Sequence, residues 1–323
     1  MDQKCVICKS ATYHEHDTLT SSLRKQFWQM TSMRMFIWGD WDLTDMESDE
    51  NIQLLACPVP SNRYITLFLK KYIEKIESMP DYELDDELTE FYISLISTTN
   101  TTSFAPGMCY KTYVLDKEQY MRIVLQEEQT MVSQGTTGLQ TWDASLRLAD
   151  FFAEHPGIIR GQRVVELGAG CGLAGFTCAA MGASNVLSTD FNSDVLKLLE
   201  GNRQTNTEYK DKVQVAELDW ANLEECARIS SNVDVIIGAD VSYDPTIVPL
   251  LVAALETMLV SPQQVAYITA AVRSQETFEL FLKLVDDTGV LGKSVMDLTE
   301  AKMSTLCLPN PVSDIRLILI TRK

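Results

Sequence analysis

Between Val164 and Gly175 the chain reads V-V-E-L-G-A-G-C-G-L-A-G, and few folds accept that order of residues. Apolar Val164, Val165 and Leu167 give way to alternating Gly168, Gly170 and Gly172, and then to an apolar, helix-like segment. A buried strand, a tight turn and a helix start follow one another there. That is the junction at which α/β proteins bind nucleotide-like ligands. Glycine belongs where a ligand must approach the main chain or where φ must be positive. A ligand-free strand-to-helix turn uses the same residues, so the motif marks a cofactor site without naming the cofactor.

From Gly161 onward the pattern alternates between strand and helix, the signature of a parallel sheet covered on both faces. Strands are predicted at Arg163–Leu167, Asn185–Thr189, Val213–Leu218, Val233–Gly238 and Val265–Thr269, around Ser294–Leu298, and at Ile315–Thr321. Seven strands separated by helices make a Rossmann-like, doubly wound and mostly parallel sheet. The last strand, close to the chain end, suits antiparallel insertion.

Upstream, Leu23, Phe27, Met30 and Ile37 fall at helical spacing, as do Ile65, Leu69, Tyr72 and Ile76, and Leu84, Leu88, Phe91 and Leu95. Asn62 is the expected cap of the second helix and Pro80 its breaker. Cys109–Leu115 and Tyr120–Gln126 read as a hairpin. A helix with Trp142, Leu146, Ala149 and Phe152 on one face follows, closed by Pro156. The expected organisation is a helical N-terminal domain over residues 1–107 and an α/β domain over 108–323 that includes the hairpin and the Trp142 helix.

Charge narrows the function. With 45 acidic and 27 basic residues the formal net charge is −18, which disfavours nucleic acid and anionic membrane and suits a basic protein partner or plain solubility. No run approaches the ~20 apolar residues of a bilayer span. The opening residues lack the order of a secretory signal, so a cytoplasmic protein with reduced cysteines is expected. Cys5, Cys8, His14 and His16 lie too close together for the usual structural zinc spacing, and no metal is expected.

In such a sheet ligands sit at the carboxyl ends of the strands. There the sequence places the glycine turn, then Asp190, Asp219-Trp220 and Ala239-Asp240. Asp190 can accept from a ribose diol and Asp219 from an adenine amino group. Trp220 offers a stacking face, and Trp142 can cover the ligand from the other side, unless it is simply a core residue. The dinucleotide fingerprint wants a small residue three places after the second glycine, where this chain has Leu173. Glu166, just before the turn, repels phosphate but tolerates a cation. S-adenosylmethionine, with adenosine, no phosphate and a sulfonium, fits best. Three histidines, no Walker lysine and no Gly-x-Ser-x-Gly leave little for other chemistries.

These residues resemble a known family. Glu166-Leu-Gly168-Ala169-Gly170-Cys-Gly172 is similar to the first motif of seven-β-strand, class I methyltransferases that use S-adenosylmethionine. Asp240-Val-Ser-Tyr243 resembles the D-x-x-Y signature of the protein-lysine methyltransferase branch, and Leu218-Asp219-Trp220 its L-D-W. The run from Ser133 to Ala144, S-Q-G-T-T-G-L-Q-T-W-D-A, resembles the matching segment of elongation factor 2 lysine methyltransferases, as does V-R-S-Q-E-T from Val272. The resemblance covers Ser133 to the C-terminus well and is faint before Cys109. It implies cofactor contacts at Trp142, Gly168, Ala169, Gly170, Asp190, Trp220 and Ala239, with Asp240 and Tyr243 facing the target amine. It also implies an enzyme acting on a lysine of elongation factor 2; a monomer is the expected state. A chaperone as acceptor, or a non-catalytic binding module, are the alternatives.

Overall fold

Strand Arg163–Leu167 lies inside a seven-stranded sheet, third in order, because Val164, Val165 and Leu167 put buried apolar side chains on both of its faces. The computed structural model describes residues 25–31, 33, 36, 60–78, 84, 86–99, 107–115, 121–128, 137–299 and 314–323. The chain divides into two units, residues 1–113 and 114–323.

In the first unit, helices α1 (Asn62–Glu77) and α2 (Asp86–Thr99) gather around an aromatic core of Phe27, Phe36, Tyr64, Phe68 and Tyr72. Phe27 meets Phe68 edge-on at 4.7 Å, and the Tyr64 hydroxyl donates to the Thr31 carbonyl at 2.9 Å. The cap of α1 is Ser61, not Asn62. Ser61 holds the extended backbone that a cap needs and its side chain accepts from the Tyr64 amide, whereas Asn62 is already helical. Residues 25–28 are helical, but the helix expected up to Ile37 stops there: Gln29 and Met30 form a turn, with Met30 in the left-handed region at φ +53°, and Thr31, Met33 and Phe36 belong to no helix. The residues before 25, Ile37, Pro80 and the Cys5/Cys8/His14/His16 group lie outside the described residues.

Strands β1 (Met108–Val114) and β2 (Arg122–Glu128) form a two-stranded sheet. The large sheet then takes β3 (Arg163–Leu167), β4 (Asn185–Asp190), β5 (Val213–Glu217), β6 (Val235–Ala239), β7 (Val265–Val272), β8 (Leu291–Asp297) and β9 (Asp314–Arg322). Their order is β5-β4-β3-β6-β7-β9-β8. The first five run parallel, and β9 inserts antiparallel between β7 and β8, as the closing apolar run implied. Helices α3 (Asp143–Glu154), α4 (Leu173–Ala180) and α5 (Ser193–Thr205) cover one face. Helices α6 (Leu223–Ser230), α7 (Val248–Met258) and α8 (Gln275–Asp287) cover the other, burying Leu251, Leu255, Phe281 and Val285 against Ile236, Ile268 and Ile318.

β3 and β6 are parallel neighbours, but successive strands are added outward from β3 to one side and from β6 to the other, so the crevice beyond their carboxyl ends is the topological switch point of the sheet. A second arrangement ties β2 to this region. Asn206 accepts from the Val124 amide at 2.9 Å and donates to the Val124 carbonyl at 2.7 Å. Asn202 does the same for Gln126, at 2.7 and 3.2 Å, and also donates to the Cys171 carbonyl in the glycine turn. Two asparagines one helical turn apart thus replace a neighbouring strand.

Candidate active site

A cavity of about 610 Å³ opens at the switch point, and all ten residues singled out from the sequence line it: Trp142, Gly168, Ala169, Gly170, Asp190, Asp219, Trp220, Ala239, Asp240 and Tyr243. Its floor is the glycine turn after β3. Gly168 has φ +61°, and a Cβ there would lie 2.8 Å from Cγ1 of Val241 and 3.5 Å from the Trp220 ring. Only glycine leaves that surface open.

Under the floor, Glu166 is fully buried. Its carboxylate accepts from Ser188 Oγ at 2.7 Å and the Gly175 amide at 3.2 Å. Burial pushes its pKa up to about 7, against those two hydrogen bonds. Gly175 is fixed by the same contact, since a Cβ would meet Ser188 Oγ at 2.5 Å as well as the Glu166 carboxylate.

At the tip of β4, Asp190 accepts from the Gly170 amide at 3.2 Å and the Asn192 amide at 3.0 Å, with its pKa raised by burial. Next to it Phe191 is 65% exposed, unusual for an aromatic residue, and lines the cavity. Asp219, past the end of β5, caps its own turn through the Ala221 amide at 2.9 Å. Trp142 is the N-cap residue of α3 rather than a member of the helix, because its backbone is extended (φ −98°, ψ 159°). Buried Glu127 sets it there, accepting from both the amide and the hydroxyl of Thr141 at 3.0 and 2.7 Å. The Trp142 indole donates to the Thr137 carbonyl at 2.9 Å.

Asp240 has φ +58°, a left-handed conformation that aspartate adopts more readily than most side chains. Its carboxylate is gripped by the Arg273 fork: Nη1 to Oδ1 at 3.0 Å and Nη2 to Oδ2 at 2.8 Å. The Arg273 guanidinium lies 5.1 Å from the Trp142 ring centroid. Tyr243 is half exposed, its hydroxyl 3.5 Å from that of Thr137.

Among the lining residues that the sequence left without a role, four stand out. Arg273 and Gln140 lay inside runs quoted for their resemblance, Phe191 directly follows Asp190, and Cys171 lies within the turn. Gln140 Oε1 is buried without a hydrogen-bond partner, an acceptor left open in the cavity wall. Among the described residues no cluster of His, Cys, Asp or Glu is set to hold a metal, and no helix is long and apolar enough to cross a membrane.

An open glycine floor, carboxylates at the strand tips and a spare acceptor fit a cationic adenosine-bearing molecule better than a phosphate. Fold and site define a class I, S-adenosylmethionine-dependent methyltransferase. Residues 119–288 match the lysine methyltransferase family. The protein-lysine N-methyltransferase EFM3 of Chaetomium thermophilum is 34% identical over 244 residues, 70% of this chain and 73% of the relative. The protein-lysine N-methyltransferase EEF2KMT of Mus musculus is 32% identical over 250 residues, 73% of this chain and 72% of the relative. Its Homo sapiens counterpart is 29% identical over 303 residues, covering 85% and 89%. The chain belongs to the lysine methyltransferase family and is a protein-lysine N-methyltransferase.

Proposed function

We propose that the protein methylates a lysine of elongation factor 2, in the cytoplasm and as a monomer. The observation that carries the reading is the convergence of ten residues, from five separate stretches of the sequence, on one cavity at the switch point. Similarity to EEF2KMT over most of the chain supports the choice of acceptor, and a net charge of −18 suits a basic protein surface.

Asp190 takes the ribose diol, Asp219 and Trp220 take the adenine, and the Gly168, Ala169 and Gly170 backbone lies beneath the ligand with Ala239 beside it. Gln140 and Glu166 favour a cationic end. When bound, the cofactor supplies a sulfonium methyl, which an unprotonated lysine amine takes by in-line displacement while the C–S electron pair stays on sulfur. What the protein itself does is orient and exclude water. Trp142 and Tyr243 flank the approach, and Asp240 faces the amine. The helical N-terminal domain expected over residues 1–107, whose described part lies within the unit 1–113, serves to grip the acceptor.

Labelled methyl transfer into extract from cells lacking this protein, followed by mass spectrometry of the labelled band, tests the reading. Label on a lysine of elongation factor 2 supports it. Label on another protein, such as a chaperone, replaces the acceptor, and saturable cofactor binding with no labelled protein turns the chain into a binding module.

A further inference from the structure

A lone carboxylate facing a lysine amine works against methyl transfer. Lysine begins near pKa ~10.4, and a carboxylate within ~4–6 Å favours the charged form by ~1–3 units. Each such unit removes about nine-tenths of the neutral amine available near pH 7.5. Asp240, however, is not alone. Arg273 meets both of its carboxylate oxygens at 2.8 and 3.0 Å, in the bidentate geometry in which guanidinium binds carboxylate best.

The pair is held from three sides. The Asp240 amide is bonded to the Thr269 carbonyl at 2.8 Å, its side chain is 7% exposed, and the Trp142 ring lies against the guanidinium. Arginine stays charged at any pH the protein meets.

Resting on the reading of this cavity as a lysine methyl-transfer site, we propose that Arg273 is a positioning residue that cancels the charge of Asp240. The carboxylate can then orient the acceptor amine without holding it as an ammonium ion. Oδ1 accepts from the Ala271 amide at 3.4 Å as well as from Arg273, so it is Oδ2 that keeps a lone pair for direction while the pair as a whole carries no charge. The ammonium proton leaves to bulk water before attack, so no base is required of the protein.

Other charges around the pair leave this balance in place. Asp143, at the start of α3, also acts on Arg273, more weakly than Asp240. Arg147 on the same helix donates to the Thr299 carbonyl. On β9, next to β7, Arg316 pairs with Asp297 of β8 and lies 3.6 Å from Asp314. Asp244, after Tyr243, is occupied by the Thr246 amide and hydroxyl, and Glu276 on α8 is exposed. Glu166, Asp190 and Asp219 line the cavity on the glycine-turn side.

The test compares wild type, Arg273→Gln, Arg273→Lys and the double variant Asp240→Asn/Arg273→Gln, all as full chains. Asparagine tolerates the left-handed backbone at position 240, so the double variant keeps the local conformation. The acceptor is purified elongation factor 2 or, if extract labelling singles out another protein, that protein. Single-turnover methyl transfer is followed from pH 6.5 to 10, and acceptor affinity is measured separately without cofactor.

The proposal expects Arg273→Gln to move the alkaline midpoint up by about one unit and to slow transfer about tenfold at pH 7.5. The same variant should bind unmethylated acceptor several-fold more tightly, because Asp240 is free to pair with the ammonium. A merely structural lesion would weaken both. Arg273→Lys should keep the wild-type midpoint, and the double variant should return both midpoint and affinity to wild type. An unmoved midpoint in Arg273→Gln, or a double variant that retains the shifted one, overturns the proposal. Should Arg273→Gln not fold, the Arg273→Lys midpoint decides: a shift there refutes the charge argument. No label on any extract protein overturns the methyl-transfer reading and the proposal together; label on a protein other than elongation factor 2 overturns only the choice of acceptor.

Discussion

Glu166 shows how much of a site lies in a single buried charge. Its letter was readable, as a carboxylate ahead of the glycines. Its setting was not, since Ser188 and Gly175 reach it only after β3 and β4 have paired, with Glu166 directly opposite Ser188. Because burial raises its folded pKa from 4.5 to about 7, the associated stability is fully present below the unfolded value and is lost as pH rises through about 7. The size of that loss is on the order of 3 kcal/mol. Glu166→Gln should therefore flatten the fall in Tm between pH 5 and 8 and be the more stable protein at pH 8; parallel melting curves would sink the assignment. A cation bound in the cavity favours the ionised carboxyl, so titrating cofactor near pH 7 should release protons, read as a dependence of calorimetric heat on buffer ionisation enthalpy. Asp190→Ala, by contrast, should weaken cofactor binding at least tenfold by calorimetry at any pH, and unchanged affinity would remove the ribose assignment. Asp240 is the residue whose surroundings were least legible. Its partner lies 33 positions away, and only the register that sets Ala239 opposite Thr269 brings Arg273 beside it.

At the scale of elements, the strands were legible because five of the seven lie among parallel neighbours covered on both faces. Val164, Val165, Ile236 and Ile237 are all buried and leave an unbroken apolar run to read. Ends were less legible. The cap of α1 fell to Ser61 rather than Asn62, two adjacent residues with equal capping ability, and the choice depends on which holds extended backbone. Trp142 stands one place outside its helix for a similar reason. Glu127 takes both donors of Thr141, and that reach from β2 is invisible in a local pattern. Glu127→Ala should leave the sheet intact, because β2 is not one of its strands, yet unpin the cap and the Trp142 indole. The expected outcome is a circular dichroism spectrum close to wild type with cofactor affinity lowered several-fold, and an unaltered affinity would show that Trp142 is placed by other means.

For the whole molecule, acidity is the property with the longest reach. A net charge of −18 acts over about a Debye length, ~8 Å at physiological salt, and steers a basic partner before any contact forms. Raising ionic strength from 50 to 300 mM should slow association with the acceptor protein far more than it alters cofactor affinity, and a salt-independent association rate would remove charge from the account of recognition. Composition made that much legible; it could not say where a partner docks, because charge counts carry no positions. The asparagine pair at the end of α5, Asn202 in its last turn and Asn206 at its C-cap, has a wider consequence. A two-stranded ribbon usually offers backbone groups to any passing strand, but Asn202 and Asn206 occupy both the amide and the carbonyl of Gln126 and Val124. The edge of β2 is thereby closed to strand addition, and its amides at 124 and 126 should resist hydrogen exchange as long as α5 stays docked. Because Asn202 also holds the Cys171 carbonyl, those two amides form a remote gauge of whether the cofactor floor is assembled.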